Sequence, residues 1–435
     1  MKDALARILR PSSPQGEVDV VLAALAVLLV GFGVVMVFSA SAIEATISFH
    51  DPFYFLKRQG AFAVIALLIM IVVSNIDYGK LRPLTYPILI AVTGLIVLSV
   101  IGFGHTGGGA ARWLRFGPIH VQPSESAKLA LVLWLAYSLD KKKEQVKSFT
   151  IGMLPHCLMA GLLVFLCLRQ PDFGGALVLA ILTFTLLFVA GARVAYLGLI
   201  GAVGMGFAVL LVRFKSYRWE RVLAWLNMDQ HRHDLAYQPF QSVMGLGSGE
   251  LGGMGLGKGL QVLYLPEAHN DFIASIIGEE LGFVGILLLC LIYLVVVARG
   301  VRAALAAADE YGSYIAFGIS VLFGVQVLIN LSVTMAIMPT KGLTLPFISY
   351  GGSSLLVNAA AMGILLNISR SRAPARNTRL AEGPMPEASA LLATEADFAP
   401  VNRARRKKQR SAPDLHSSDL NLEPALAGGG EGEAQ

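Results

Sequence analysis

The sequence has little charge. Only 15% of its 435 residues are Asp, Glu, Lys or Arg, whereas soluble proteins carry nearer a quarter. Hydrophobic residues make up 55% and fall in long runs. A run of about 18 or more apolar residues can span a bilayer as a helix. The composition therefore excludes an ordinary soluble globular protein and predicts a polytopic membrane protein.

Cysteine is also scarce. Cys157, Cys167 and Cys290 lie within apolar runs, and no pair has the spacing of a metal or redox site. We expect them to be small buried hydrophobes. We also expect no cleavable signal sequence, because the first apolar run is too long and lacks a small-residue cleavage site at its end. That run is typical of an uncleaved anchor.

No basic globular domain is present, although the net charge is +6, and this argues against nucleic-acid binding. Gly252–Lys258 matches the first seven positions of a P-loop. However, Gly259 replaces the Ser or Thr that would bind magnesium, and no strand precedes the motif. We expect no nucleotide site there. The glycines indicate either close backbone packing or an adaptable loop.

The apolar runs predict an all-α polytopic membrane protein with about ten transmembrane helices. A long extracytoplasmic loop, residues 213–271, is expected between helices seven and eight. Residues 1–17 would form a cytoplasmic N-terminal segment, residues 18–370 the transmembrane domain, and residues 371–435 a disordered cytoplasmic tail. The predicted spans are Val18–Ser41, Phe55–Ile76, Leu84–Phe103, Glu125–Leu139, Ile151–Leu168, Gly174–Ala190, Val194–Val212, Phe272–Ala298, Tyr314–Thr334 and Ser353–Ile368.

The orientation follows from the Lys and Arg residues of the short loops, which favour the cytoplasm. An even number of spans puts both termini on that side of a cell inner membrane. The tail also has a basic cluster, Arg403–Arg410, which either contacts anionic lipid or is solvated. The loop residues that set the orientation are Lys80, Arg82, Lys141, Lys142, Lys143, Lys147, Arg299 and Arg302.

Two polar clusters lie beside the fourth and sixth spans, where a charged side chain costs about 2.5–3.5 kcal/mol at a helix centre. Gln122 begins the first cluster, and Glu125 and Lys128 are neighbours on one helix face. They form either an ion pair that fixes packing or the wall of a polar cavity. In the second cluster, Asp172 either caps the next helix or faces a substrate cavity.

Two more clusters lie near the eighth and tenth spans. Glu267, His269 and Asp271 fall within five residues, a density typical of a functional site. The alternative is one helix cap with solvated neighbours. In Pro339–Ser354, prolines and glycines exclude a regular helix. Irregular backbone at membrane depth must lie against protein or a watery cavity, so this segment predicts a re-entrant loop.

Basic residues are also expected on the outer face, against the general pattern. They either bind an anionic ligand or are simply solvated. They are Arg112 and Arg115 before the fourth span, and Lys215, Arg218, Arg221, Arg232 and Lys258 in the long loop.

These four clusters, in this order, resemble the SEDS family (shape, elongation, division and sporulation). The resemblance covers Val18 to Arg370, and Lys341–Ser354 is similar to the family's most specific signature. Thr340–Thr344 and Ile277–Gly282 resemble division-type more than elongation-type members. Asn270 and Ala274 depart from the family pattern, which usually has Thr and a large apolar residue there.

The resemblance implies a peptidoglycan glycosyltransferase that polymerises lipid II at the periplasmic face of the division septum. It also implies a class B penicillin-binding protein as partner, along with other division proteins and membrane lipid. Asp271 matches the family's essential outer-loop aspartate, and Arg112-Trp113 resembles a paired motif. Glu125, Lys128 and Asp172 match its cavity residues. Further substrate-contacting candidates from the clusters are Gln122, Lys258, Glu267, His269, Ser349, Gly351 and Ser353.

Glycan polymerisation needs a base that deprotonates the acceptor 4-hydroxyl, and we expect Asp271 to be that base because partial desolvation raises a carboxyl pKa. The pyrophosphate leaving group needs cations, for which Arg112, Arg218, Arg221 and Lys258 are candidates. An Mg²⁺ or Mn²⁺ ion is expected without an identifiable ligand set, and no organic cofactor is expected.

Two other functions fit parts of the same pattern. A lipid II flippase would also combine many helices, intramembrane charge and a re-entrant loop. Against it, the two halves show no inverted repeat, and the titratable cluster lies at one face rather than at the midplane. A scaffold that recruits division proteins through its tail is the third candidate.

Overall fold

The computed structural model describes residues 16–107, 110–117, 119–214 and 216–370. The predicted tail and residues 1–15 lie outside this range. Ten of the helices coincide one for one with the predicted spans, and α8 and α9 are additional. The helices are α1 Val20–Phe49, α2 Tyr54–Ser74, α3 Leu81–Leu98, α4 Pro123–Lys142, α5 Leu154–Arg169, α6 Phe173–Val189, α7 Val194–Arg213, α8 Ser216–Leu226, α9 Tyr237–Ser248, α10 Ile273–Leu305, α11 Glu310–Thr334 and α12 Gly352–Arg370.

Seven helical segments in the described residues are long and apolar enough to cross a membrane, and they contain α1, α2, α3, α5, α10, α11 and α12. Helix α6 and the apolar part of α7, Val194–Leu210, are shorter. Helix α4 carries Glu125, Lys128 and Asp140, yet it is almost entirely buried against α3, α6, α11 and α12. A helix in the centre of the bundle need not be apolar towards lipid. The chain is a multi-pass membrane protein.

A small antiparallel sheet precedes α4, which the sequence did not predict. Strands β1 (His105–Gly107), β2 (Ala110–Phe116) and β3 (Ile119–Val121) lie in the order β1-β2-β3. Strand β3 leads directly into Gln122, which has an extended backbone and is the N-cap residue of α4. The sheet therefore holds β2 against α4.

The long segment between α7 and α10 is folded rather than a plain loop. Helix α9 packs against α10 and α11. The Ser242 hydroxyl donates to the carbonyl of Thr334 at 2.8 Å, and the Ser275 hydroxyl donates to the carbonyl of Ser242 at 2.8 Å. In α8, the Trp225 indole N–H donates to the carbonyl of Ala336 at 2.7 Å. The segment is thus tied to the helices that bear the site.

Helix α10 is broken at Gly282, which has φ 69°. The freed carbonyls of Glu279 and Glu280 each accept a main-chain N–H from the glycine-rich loop (residues 249–259) at 2.9 Å. Two N–H groups just beyond the break donate to carbonyls of the same loop, at 2.9 and 3.2 Å. Within a membrane such backbone groups need protein partners, and the loop supplies them.

The glycines of this loop allow close backbone packing, which is the first of the two interpretations that the sequence allowed. A β carbon at Gly249 would lie 1.9 Å from the carbonyl oxygen of Gly278. One at Gly253 would lie 2.2 Å from that of Glu280. No side chain fits at either position, so the loop is held against α10.

The end of the bundle opposite the sheet is joined by ion pairs. Arg82 at the start of α3 lies 2.7 Å from Asp309 and 3.4 Å from Asp140. Arg299 in α10 lies 2.9 Å from Asp19 at the start of α1. These pairs neutralise charge at helix ends, and the candidate site lies at the other end.

Candidate functional site

Asp271 lies just before α10 at the point where three segments meet. A β carbon at Gly342, in the irregular re-entrant loop between α11 and α12 (residues 335–351), would lie 3.0 Å from Asp271 Oδ2 and 3.2 Å from Arg112 Nη1. Arg112 belongs to β2. The start of α10, the re-entrant loop and the sheet therefore bring a carboxylate and a guanidinium to the same open face of Gly342.

The pKa of the Asp271 carboxyl is raised from an ordinary value of 3.8 to about 7. Burial is the largest cause, and the negative charge of Glu267 is the next. The positive charge of Arg112 opposes them, while Asp172 and Glu125 raise the pKa slightly further. A carboxyl with this pKa can take up and release a proton near neutral pH.

Arg112 links the sheet to the turn between α5 and α6. Its Nη2 donates to the carbonyl of Pro171 at 2.6 Å. Its Nε is buried, and within the described residues it has no hydrogen-bond partner. The neighbouring Trp113 is half-buried and pairs with His105 in the sheet. The guanidinium thus keeps an unused donor at Nε within the described residues.

Glu125 and Lys128 form a buried ion pair in α4, with Lys128 Nζ 2.7 Å from Glu125 Oε1. The Ser354 hydroxyl of α12 donates to Glu125 Oε2 at 3.1 Å and lies 2.8 Å from the hydroxyl of Thr344. A buried pair needs such further hydrogen bonds to offset desolvation. The pair joins α4, α12 and the re-entrant loop, and Glu125 is also close enough to affect Asp271.

Asp172 is the N-cap of α6, as the first of its two interpretations had it. Its Oδ1 accepts the N–H of Gly175 at 2.9 Å. Its Oδ2 lies 3.5 Å from Gln122 Nε2. Its charge also raises the pKa of Asp271, so the cap carboxylate lies within electrostatic reach of that residue.

The serines of the re-entrant loop and α12 hold backbone. The Ser353 hydroxyl accepts the N–H of Gln122 at 3.3 Å and donates to a carbonyl of β3 at 2.5 Å. The Ser349 hydroxyl accepts the N–H of Leu345 at 2.8 Å. Gly351 is buried beside them. Their contacts fix the loop and its junction with the sheet.

The three titratable residues before α10 point in different directions. Glu267 is exposed. His269 is buried, with Nδ1 3.4 Å from Glu44 Oε2 and its ring centroid 4.5 Å from Phe55 and 5.3 Å from Tyr350. Glu267 therefore acts on Asp271 through its charge. His269 lies in an aromatic cluster against α1 and α2.

Among the outer basic side chains that the structure describes, Arg112 is the one beside Asp271. Lys258 is exposed in the glycine-rich loop, and Arg115 is exposed with its Nε 3.3 Å from the carbonyl of Gly117. Lys215 lies outside the described residues. Among these described basic residues, Arg112 is therefore the candidate for binding an anion beside Asp271.

Two residues of the site were not singled out from the sequence. Asn330 of α11 donates from Nδ2 to the carbonyls of Asp271 and Leu343, at 2.9 and 2.8 Å. Lys341 is half-buried next to Gly342, and burial lowers its pKa. Asn330 is an uncharged residue within an apolar span, so no charge in the sequence points to it. Lys341 belongs to the Lys341–Ser354 motif but received no role of its own.

The residues do not by themselves assemble a metal cage. Across the described ranges, no three His, Cys, Asp or Glu side chains come together in an arrangement that could hold a metal ion. The carboxylates of the site are too far apart to supply the several oxygen ligands that a resident Mg²⁺ or Mn²⁺ ion needs. The Mg²⁺ or Mn²⁺ ion stays a prediction.

A family model matches most of the chain. The FtsW/RodA/SpoVE family, described as cell cycle protein, matches residues 19–373. A probable peptidoglycan glycosyltransferase FtsW of Geobacter metallireducens is 46% identical over 353 residues, which cover 81% of this chain and 94% of the relative. Stage V sporulation protein E of Bacillus subtilis is 40% identical over 356 residues, or 81% of this chain and 97% of the relative.

Solved structures have the same fold. A chain of a peptidoglycan synthase complex, described for its coordination of polymerization and crosslinking, is 32% identical with a TM-score of 0.67, covering 81% of this chain and 98% of its own. The rod shape determining protein RodA of Thermus thermophilus is 30% identical with a TM-score of 0.62, covering 82% of this chain and 97% of its own. Each match covers about four fifths of this chain.

Proposed function

Because this chain belongs to the FtsW/RodA/SpoVE family of cell cycle proteins, we propose that it is the peptidoglycan glycosyltransferase that polymerises lipid II during cell division. Relatives named for that activity align along nearly their full length. The observation that carries the chemistry is the Asp271 carboxyl, whose pKa is about 7, and which lies with Arg112 against the same face of Gly342.

In this mechanism Asp271 is the general base. Its carboxylate takes the proton of the acceptor 4-hydroxyl while that oxygen attacks the anomeric carbon of the donor sugar. The new glycosidic bond forms as the bond between the anomeric carbon and the pyrophosphate oxygen breaks. A base with a pKa near the working pH combines a useful ionised fraction with a strong pull on the proton.

The departing pyrophosphate carries the negative charge that develops. Arg112 has an unpaired buried Nε, and guanidinium groups bind phosphate oxygens through paired hydrogen bonds. Lys341 adds a second cation on the same loop as Gly342. A charge that is half-buried without an ion-pair partner, as Lys341 is across the described ranges, gains from an incoming anion. We assign both to the leaving group.

The membrane setting suits a lipid-linked substrate. The loop charges favour an inner-membrane protein with both termini in the cytoplasm and the site at the periplasmic end. Residues 201–210 of α7 are exposed wherever their side chains are described, so this helix can border the prenyl chain. We further propose a class B penicillin-binding protein as the partner that crosslinks the product, since a relative occurs in a complex that coordinates both reactions.

The function is tested with purified full-length chain and fluorescent lipid II, with and without the class B partner. We expect a ladder of glycan strands on a gel, strongest with the partner present. If proteoliposomes moved lipid II across the bilayer while no ladder formed, the protein would be a transporter. If truncation after Arg372 abolished all activity of the chain, the scaffold function would be favoured, because the site lies entirely before that residue.

A further inference from the structure

Asn330 joins the two segments that form the site. It is 1% exposed on α11. Its Nδ2 donates to the carbonyl of Asp271 at 2.9 Å and to that of Leu343 at 2.8 Å, which uses both hydrogens of the amide nitrogen. Its Oδ1 is buried and, within the described residues, accepts no hydrogen bond. The side chain is therefore held by its donors alone.

Neither of these two carbonyls can be satisfied by a helix. Asp271 precedes the first helical residue of α10, and Leu343 lies in the irregular re-entrant loop. Buried main-chain carbonyls need donors, and one amide serves both. Because Gly342 adjoins Leu343, the same amide sets the separation between the Asp271 carboxylate and the loop that faces it.

We propose that Asn330 is a positioning residue that fixes the general base for proton transfer; this inference rests on the proposed function. Asn330 acts through the backbone of Asp271 and makes no contact with the reacting sugars in this assignment. Its loss displaces the carboxylate from the acceptor hydroxyl, and a misplacement of about 1 Å can lower a rate by about 100-fold.

The pH profile reports on this role. The charged groups that act on Asp271 are Glu267 from the preceding loop, Arg112 from β2, Asp172 at the start of α6 and Glu125 from α4. Asn330 is neutral and leaves these charges in place. When Asp271 is released from Asn330, its carboxylate can move towards water. Because burial is the main cause of its raised pKa, the pKa then falls.

The test compares full-length native chain and Asn330→Ala, each with the class B partner, in lipid II polymerisation across the pH range. We expect kcat to fall at least about 10-fold with KM near the native value, and the acidic limb of the kcat profile to move to lower pH. Gln326→Ala is the matched control, because Gln326 is another fully buried amide of α11 whose two polar atoms have no hydrogen-bond partner among the described residues. Asn330→Ser, which keeps one donor, replaces Asn330→Ala if the latter does not fold.

The outcomes separate the inference from the proposed function. An unchanged kcat and acidic limb in the Asn330 variant overturn the positioning role. Equal losses in the Asn330 and Gln326 variants also overturn it, since they show only a packing role for α11. If the native chain itself forms no glycan, the proposed function fails and the inference fails with it.

Discussion

Asp271 is a residue whose ionisation opposes folding and, in the proposed mechanism, serves the reaction. Its pKa is about 7 in the folded chain against an ordinary value of 3.8. Between these values the folded state binds a proton that the unfolded state has released, so this contribution to stability is lost as pH rises from about 4 through 7. Above pH 7 the fold must hold an ionised, desolvated carboxylate.

We therefore expect Asp271→Asn to raise the melting temperature at pH 8, and the gain to shrink towards pH 5. The amide removes the charge while keeping the shape of the side chain. Differential scanning fluorimetry of the detergent-purified protein measures the effect. Asp229→Asn, which changes an exposed carboxylate, is the control. A gain of equal size at both pH values would show that burial of the Asp271 charge is not its cause.

The charge of Glu267 gives a second test at this scale. It is exposed, and its negative charge is the second largest cause of the raised pKa of Asp271. Removing it in Glu267→Gln lowers that pKa, so the acidic limb of the polymerisation rate should move to lower pH with little change at pH 8. A limb that stays at the native pH would disprove the electrostatic link.

Gly342 gives the third. A β carbon there would lie 3.0 Å from Asp271 Oδ2 and 3.2 Å from Arg112 Nη1. Gly342→Ala must therefore push both groups away from the loop. We expect polymerisation to fall by about 10-fold or more, as for other small displacements in active sites, with the melting temperature changed little. Gly60→Ala, whose β carbon meets nothing within 4 Å, should keep native activity.

The sequence motifs named the candidate site residues, whose roles in the reaction stay predictions, but gave no direction for their side chains. Asp271, Asp172 and the Glu125–Lys128 pair all lie where the motifs indicated. His269 does not, because the backbone before α10 is irregular and spacing alone gives no side-chain direction there. Its burial against Phe55 and Tyr350 depends on segments far apart in the sequence.

At the scale of elements, the break of α10 is the feature that most depends on one residue. Gly282 has a positive φ, and a β carbon there would lie 2.4 Å from the nitrogen of Gly253 and 2.5 Å from the carbonyl oxygen of Leu251. Both clashes are with backbone, so the loop would have to move away from α10. The break in α10 and the packing of the glycine-rich loop therefore depend on each other.

Gly282→Ala should accordingly destabilise the protein by more than about 1 kcal/mol and lower its yield from membranes. Thermal unfolding followed by size-exclusion chromatography measures this. Gly324→Ala is the control, since its β carbon would meet only Val297 at ordinary contact distances. Equal stability of the two variants would mean that the loop does not pack on α10 as described.

Hydropathy predicted the elements that cross the membrane and missed those that do not. Ten apolar runs gave ten helices, although α1 extends to Phe49 and α10 to Leu305, beyond the predicted ends. Helices α8 and α9 and the three strands are short and lack a long apolar run. The break in α10 depends on hydrogen bonds to a loop that precedes it by some thirty residues, which no local pattern reveals.

At the scale of the whole molecule, the ion pairs that join helix ends and the candidate catalytic charges lie at opposite ends of the bundle. Ion pairs such as Arg82–Asp309 and Arg299–Asp19 join the helix ends at one side. At the other side Asp271 and Arg112 lie against the same face of Gly342, and no ion pair between them is found in the described structure. In the proposed mechanism they serve as base and cation for a lipid-linked sugar.

The most direct measurement is the rate of glycan polymerisation from lipid II by purified Asp271→Asn with the class B partner at pH 8. Because the amide cannot accept the proton of the acceptor hydroxyl, we predict no polymer above background from a folded protein that still binds its partner. Polymer formed at the native rate would contradict the account.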